Sequence, residues 1–174
     1  RHAMRHSIAL VGNPNCGKTA LFNRLTGSRQ KVANYAGVTV DLKEGVIALP
    51  SGHHARLLDL PGAYSLSATS PDEAVTRDVC LGQHPDEGSP DLLLCVVDAT
   101  NLRLHLRFVL ELQRLGRPMV LALNMADAAR QRGIRIDAEV LARELGCPVV
   151  ETVAVRHSGT TALLETLDAA LPAA

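Results

Sequence analysis

Short apolar runs alternate with amphipathic stretches from one end of the chain to the other. Residues 7–11 are apolar and stop at Gly12, and residues 18–25 follow with Leu21, Phe22 and Leu25 at helical spacing. Gly27 suits the end of that helix. Residues 43–49 and 55–60 are strand-length and flank Pro50-Ser51-Gly52, which predicts an antiparallel hairpin. Residues 71–81 read as a helix whose early Asp72 and Glu73 match the positive end of its dipole. Beyond the polar stretch 86–90, residues 92–97 read as a buried strand, 102–115 as a helix ended by Gly116, and 120–123 as another buried strand. Residues 137–145 form a helix closed by Gly146, Val149 and Val150 begin a last strand, and Ser158 caps a final helix to about residue 171.

Strands alternating with helices predict an α/β fold. The expected sheet is mostly parallel and six-stranded, with one antiparallel edge strand and helices on both faces. In such sheets ligands bind beyond the carboxyl ends of the strands, so the loops that follow the strands should carry the chemistry.

The first of those loops, Gly12-Asn13-Pro14-Asn15-Cys16-Gly17-Lys18-Thr19 with Ala20 behind it, fits GxxxxGK[ST] between a strand and a helix. Its glycines let backbone N–H groups converge on phosphate oxygens, and the helix adds its positive end. Lys18 would neutralise phosphate charge and the Thr19 hydroxyl would ligate Mg²⁺. This pattern predicts a P-loop nucleotide site without naming the base.

The base and the phosphate sensor are sought in later loops. Asp59-Leu60-Pro61-Gly62 follows a strand; Asp59 could hold Mg²⁺ through water and Gly62 could offer its N–H to a γ-phosphate. Asn124-Met125-Ala126-Asp127 follows another strand and fits NxxD, where the Asp127 carboxylate would accept from guanine N1–H and the exocyclic amine, a donor pair adenine lacks. Met125 stands where Ras-type proteins carry Lys. Thr39, between the first helix and the hairpin, could ligate Mg²⁺ and order its loop on the γ-phosphate. Val153-Ala154-Val155, after the last strand, could meet guanine O6 through the backbone. Asp98 is read as a helix cap, Cys16 as a small residue facing away from phosphate, His53 and His54 as solvated, and Arg29 as not a catalytic finger.

Composition narrows the setting. A chain of 174 residues favours one domain, and at 47% hydrophobic but 2% aromatic its core must be built from Leu, Val, Ala and Ile. Lys plus Arg and Asp plus Glu number 18 each, which gives no footprint for nucleic acid or an anionic membrane. The 4 cysteines form no CxxC pair and read as reduced thiols. No apolar run approaches the roughly 20 residues of a spanning helix. Residues 1–5 read as a cloning remnant and a disordered start.

With these motifs in place, the chain resembles the FeoB family of ferrous iron transporters. GNPNCGKTALFN, NYAGVTVDLKEG, DLPGAYSLSATSPDE, VVDATNL and NMAD follow the order of that family's G domain over about residues 6–171. The resemblance implies a G domain across residues 6–174, without the helical and transmembrane domains that follow in the family. It implies GTP and GDP as ligands, Mg²⁺, and slow hydrolysis stimulated by K⁺. Asn15, with carbonyls near residues 33–35, would hold the K⁺; Asn15, Lys18, Thr39 and Gly62 would carry catalysis. Ala63 stands where Ras-type enzymes place a water-orienting Gln. Tyr35 replaces a frequent Trp, and Ala154 a frequent Ser or Thr. The implied role is regulation of ferrous iron transport at the cytoplasmic face of the bacterial inner membrane. The permease part of the same protein, small accessory iron-transport proteins and a homo-oligomer are the partners to consider. Three rival readings are a guanine-nucleotide switch with negligible activity alone, an Era-like GTPase that acts on RNA or the ribosome, and an ATP-dependent kinase.

Overall fold

A computed structural model describes residues 6–27, 29–34, 41–85, 87–153 and 160–172, the side chains of Ala33, Asn34 and Asp41 excepted. The strands are β1 (His6–Gly12), β2 (Gln30–Asn34), β3 (Asp41–Ala48), β4 (His54–Asp59), β5 (Leu92–Asp98), β6 (Met119–Asn124) and β7 (Val149–Glu151). The helices are α1 (Lys18–Thr26), α2 (Pro71–Leu81), α3 (Leu102–Gln113), α4 (Ala126–Gln131), α5 (Ala138–Leu145) and α6 (Thr160–Ala170), and a 3₁₀ turn at Ala99–Asn101 leads into α3. The strands form one sheet in the order β2-β3-β4-β1-β5-β6-β7.

The α/β architecture with helices on both faces is as the sequence predicts. The strand count needs correction: there are seven strands rather than six, and both β2–β3 and β3–β4 pair antiparallel. The missed strand, β2, reads Gln-Lys-Val-Ala-Asn and leaves Val32 58% exposed. Its described side chains, Gln30, Lys31 and Val32, are all exposed, and they show no apolar alternation to read.

Side chains alternate between two cores, as a twofold strand repeat requires. Ile8 and Leu10 of β1, with Leu57, Leu94 and Val120, pack under Leu21 and Phe22 of α1 and Leu163 and Leu167 of α6. Ala9 and Val11, with Leu58, Cys95 and Leu121, pack under Val75 and Val79 of α2 and Phe108, Val109 and Leu112 of α3. Strands β5 and β6 are buried along nearly their whole length, the signature of a parallel sheet covered on both sides.

Local capping sets where the helices begin. Ser70 accepts from the Glu73 N–H at 3.2 Å while Glu73 accepts from the Thr69 N–H at 3.1 Å, and Pro71 opens α2. These bonds, the Thr69 hydroxyl first, hold the Glu73 carboxyl below its usual range. Asp137 caps α5 through the Glu139 and Val140 N–H groups. Asp98 accepts from Thr100 N–H at 2.8 Å, the cap expected of it. The parallel register then brings Gly12 opposite Val96, Asp59 opposite Leu10 and Asp98 opposite Asn124, so the carboxyl ends of β1, β4, β5 and β6 share one edge.

Candidate functional site

The loop after β1 is shaped by backbone that few residues tolerate. Asn15 has φ 64° and Gly17 φ 84°; Asn adopts that left-handed region more readily than most residues. A Cβ on Gly17 would also strike the Asn124 amide. One on Gly12 would lie 2.7 Å from the Val96 carbonyl and 2.9 Å from Cys16 Sγ. Close approach therefore demands both glycines of the motif, and torsion demands Gly17 besides. Asn13, Pro14, Asn15, Gly17, Lys18, Thr19, Ala20 and Gly62 line an open groove of about 390 Å³.

The Asp59–Gly62 segment is bound into that groove. Lys18 Nζ pairs with the Asp59 carboxylate, and the two side chains are only 11% and 10% exposed. The Leu60 N–H donates to the Leu10 carbonyl at 3.1 Å and the Ala63 N–H to the Gly12 carbonyl at 3.0 Å. Gly62 lies so close to Pro14 that a Cβ would sit 3.1 Å from three of its atoms. Thr76 of α2, fully buried, donates to the Pro61 carbonyl at 2.8 Å.

On the other side, Asn124 joins the same loop to the end of the sheet. Its Nδ2 donates to the Cys16 carbonyl at 3.2 Å, and its Oδ1 accepts from the Thr152 hydroxyl at 3.0 Å. Both residues are buried, at 1% and 2% exposure. Met125 turns the chain with φ 62°, and Asp127 opens α4, where its Oδ1 accepts from the Ala128 N–H at 2.8 Å. Val153 is buried beside Thr152.

Residues 12–20, Asp59, Gly62 and Asn124 are thus brought together, with Met125 and Asp127 at the start of α4 and Val153 just after β7. Thr39, Tyr35, Ala154 and Val155 lie outside the described residues, as do the side chains of Ala33 and Asn34. Sequence reading missed Thr152, Thr76 and helix α4. Thr152 carried a usable signal, a hydroxyl at the end of the last strand in line with Asn124; Thr76 resembled any polar helix residue.

Cys16 contributes its carbonyl rather than its thiol. The side chain is fully buried, and burial pushes the thiol up to about 11. In contrast to the shielded groups, Asn15 and Thr19 are exposed at the mouth of the groove, and His53 and His54 are exposed at the hairpin turn. Thr19, which lines the groove, and Asp59, paired with the groove residue Lys18, carry oxygen donors of the kind a hard cation takes. Among the described residues no cluster of three His, Cys, Asp or Glu could hold a metal on its own.

A model of the family described as ferrous iron transport protein B matches residues 6–167. The chain belongs to the FeoB family. It is 49% identical to the Fe(2+) transporter FeoB of Salmonella typhimurium over 166 residues, 93% of this chain and 21% of that protein. The Escherichia coli K12 transporter is 48% identical over the same share. The chain therefore spans about a fifth of the length of these curated FeoB relatives. Among solved structures, the G domain of the Thermotoga maritima FeoB iron transporter is 41% identical with a TM-score of 0.84, covering 94% of this chain and 97% of that one. The cytosolic domain of the T. maritima transporter in a GDP form gives a TM-score of 0.89 at 39% identity, covering 99% of this chain and 66% of that one. The sheet and its helices are those of a FeoB G domain.

Proposed function

We propose that this chain binds GTP and GDP with Mg²⁺ and hydrolyses GTP slowly, with stimulation by K⁺. The observation that carries the reading is the loop 12–19 held between two neighbours: the Asp59–Gly62 segment on one side and Asn124 on the other. One phosphate cradle thereby adjoins both a cation-and-sensor loop and a base loop. GDP in the related T. maritima cytosolic domain supports the choice of ligand.

In this reading the backbone N–H groups of residues 13–20 and the Lys18 ammonium hold the phosphates. Lys18 leaves Asp59 to do so. Thr19 and Thr39 would ligate Mg²⁺ and Asp59 would hold it through water; bound there, it would neutralise negative charge on the phosphate oxygens. Asp127 reads guanine through its two donors, with Met125 beside the base and the backbone of Val153, Ala154 and Val155 at O6. Gly62 offers its N–H to the γ-phosphate. Asn15 would offer its side-chain oxygen to K⁺, and the positive charge there would do what an arginine finger does elsewhere.

Ala63 is fully buried and carries no group that could orient water. That observation favours slow turnover and keeps a second reading, a nucleotide switch with negligible activity alone. The balanced charge gives an Era-like RNA role no support.

Residues 6–174 act in this proposal as the G domain of a longer transporter. It works at the cytoplasmic face of the inner membrane beside the permease part and gates ferrous iron; small accessory iron-transport proteins and a second copy of the chain are further partners to test. No described helix is long and apolar enough to cross a membrane. Phosphate release from GTP measured in KCl and in NaCl separates the two readings. Faster release in KCl supports the enzyme; equal, negligible release in both salts leaves only the switch.

A further inference from the structure

Charge that balances over the whole chain does not balance along it. Residues 102–135 hold 7 arginines, at positions 103, 107, 114, 117, 130, 132 and 135, against 2 acids, Glu111 and Asp127. Arg117 is engaged by the Cys80 carbonyl and Ser89, and Arg130 by Glu151. Arg103, Arg107, Arg114, Arg132 and Arg135 are exposed, and among the described residues none has an ion pair or a side-chain hydrogen bond.

Three of these five stand in one row. Along α3 and its C-cap, Arg103, Arg107, Leu110 and Arg114 follow one another at four, three and four residues, so they share one face of the helix over roughly 16 Å. Leu110, 42% exposed, lies within the row, and Leu104, 53% exposed, lies beside it. Glu111, the one acid of α3, is engaged elsewhere: its carboxylate accepts from the Ser65 hydroxyl and the Leu66 N–H, both at 2.9 Å. At the N-terminal foot of α3, Ala99 and Arg135 line a common cavity of about 200 Å³, which brings a fourth free arginine to that end of the helix. The row works against the helix that carries it. Arg103 and Arg107 are like charges four residues apart, and Arg103 stands in the first turn, at the positive end of the dipole. Neither feature serves the core, which α3 meets through His105, Phe108, Val109 and Leu112.

We propose that this face of α3 is a docking surface for anionic phospholipid, with the arginines on headgroup phosphates and Leu104 and Leu110 against the interface. The charge complementarity is specific in kind, because guanidinium groups pair with phosphate through two parallel hydrogen bonds. Leucines set among cations suit the boundary between headgroups and acyl chains. The choice of lipid over other polyanions rests on the reading of this chain as one domain of a membrane transporter; the nucleotide site does not enter.

The test is co-sedimentation with vesicles of phosphatidylcholine alone, or mixed in equal parts with phosphatidylglycerol, in low and high KCl, with GDP affinity measured on every sample. The unsubstituted chain should bind the mixed vesicles in low salt, and should leave them in high salt and ignore phosphatidylcholine alone. Arg107→Gln should weaken binding about fivefold, and Arg103→Gln/Arg107→Gln/Arg114→Gln by more than roughly fiftyfold, with GDP affinity unchanged. Lysine at the same three positions should keep most of the binding. Lys31→Gln/Lys43→Gln/Arg143→Gln removes as many charges elsewhere and should bind like the unsubstituted chain. Equal losses in the two glutamine triples overturn the proposal, and so does a short single-stranded RNA that strips the chain from the vesicles at equal phosphate concentration. A chain that ignores the mixed vesicles yet binds GDP overturns the lipid surface alone. One that binds vesicles but no GDP leaves that surface standing and overturns the nucleotide reading instead.

Discussion

Lys18 and Asp59 form an ion pair between the first turn of α1 and the end of β4, with both side chains about nine-tenths shielded from water. In the proposed site each has a different partner: Lys18 the phosphates, Asp59 the cation. Binding therefore exchanges one set of charge pairings for another. Asp59→Asn should weaken GDP binding in Mg²⁺ but strengthen it about three- to tenfold in EDTA, because Lys18 no longer has to leave a carboxylate. Titration of labelled GDP in both buffers checks this; an equal loss in each would contradict it.

The Thr152–Asn124–Cys16 chain of hydrogen bonds makes a second expectation. Thr152→Val keeps the side chain's shape and removes the hydroxyl that donates to Asn124 Oδ1. The loss of one buried hydrogen bond costs about 0.5–1.5 kcal/mol. The melting temperature should drop, and nucleotide affinity should drop further, since Asn124 also holds the Cys16 carbonyl of the cradle. Thermal melts with and without GDP separate the two effects.

Gly17→Ala should be more damaging than its one added methyl suggests. The residue adopts φ 84°, and the new Cβ would meet the Asn124 amide. Left-handed backbone alone costs about 1–2 kcal/mol in a non-glycine residue. The clash is with the group that ties the loop to β6, so nucleotide affinity should fall by at least roughly tenfold. Gly52, also at positive φ but with open space around it, should tolerate alanine with a loss near the backbone cost only.

Stability should fall at alkaline pH through the buried thiols. Burial pushes Cys16 to about 11 and Cys80 to about 12 from an ordinary value of 9.0. Above pH 9 the unfolded chain loses these protons while the folded chain keeps them, so the unfolded state is favoured as pH rises. By pH 10 Cys16 alone should cost on the order of 1 kcal/mol. Urea unfolding at pH 8 and pH 10 measures the loss, and Cys16→Ser should reduce it.

The parts of this account legible in the sequence are those where one local pattern carries one structural demand. The loop 12–19 needs Gly17 for torsion and both Gly12 and Gly17 for close approach, and the spacing alone announces glycines there. The buried strands β5 and β6 announce themselves as apolar runs. What stayed hidden depends on a partner distant in sequence. β2 is a strand because β3 offers it an edge, not because its own residues alternate. Thr76, Glu111 and Thr152 are ordinary polar residues until the fold sets them against Pro61, Leu66 and Asn124. α4, six residues long, is too short for a helical period to show.

The central claim is that the loop 12–19 and the Asp127 carboxylate grip opposite ends of one guanine nucleotide. Competition binding of GDP, ADP and XDP to the unsubstituted chain and to Asp127→Asn tests it most directly. The unsubstituted chain should prefer GDP strongly over ADP and XDP. In Asp127→Asn the preference should pass to XDP, whose 2-oxo group can accept from the new amide. An Asp127→Asn variant that still prefers GDP over XDP would contradict the assignment of the base site.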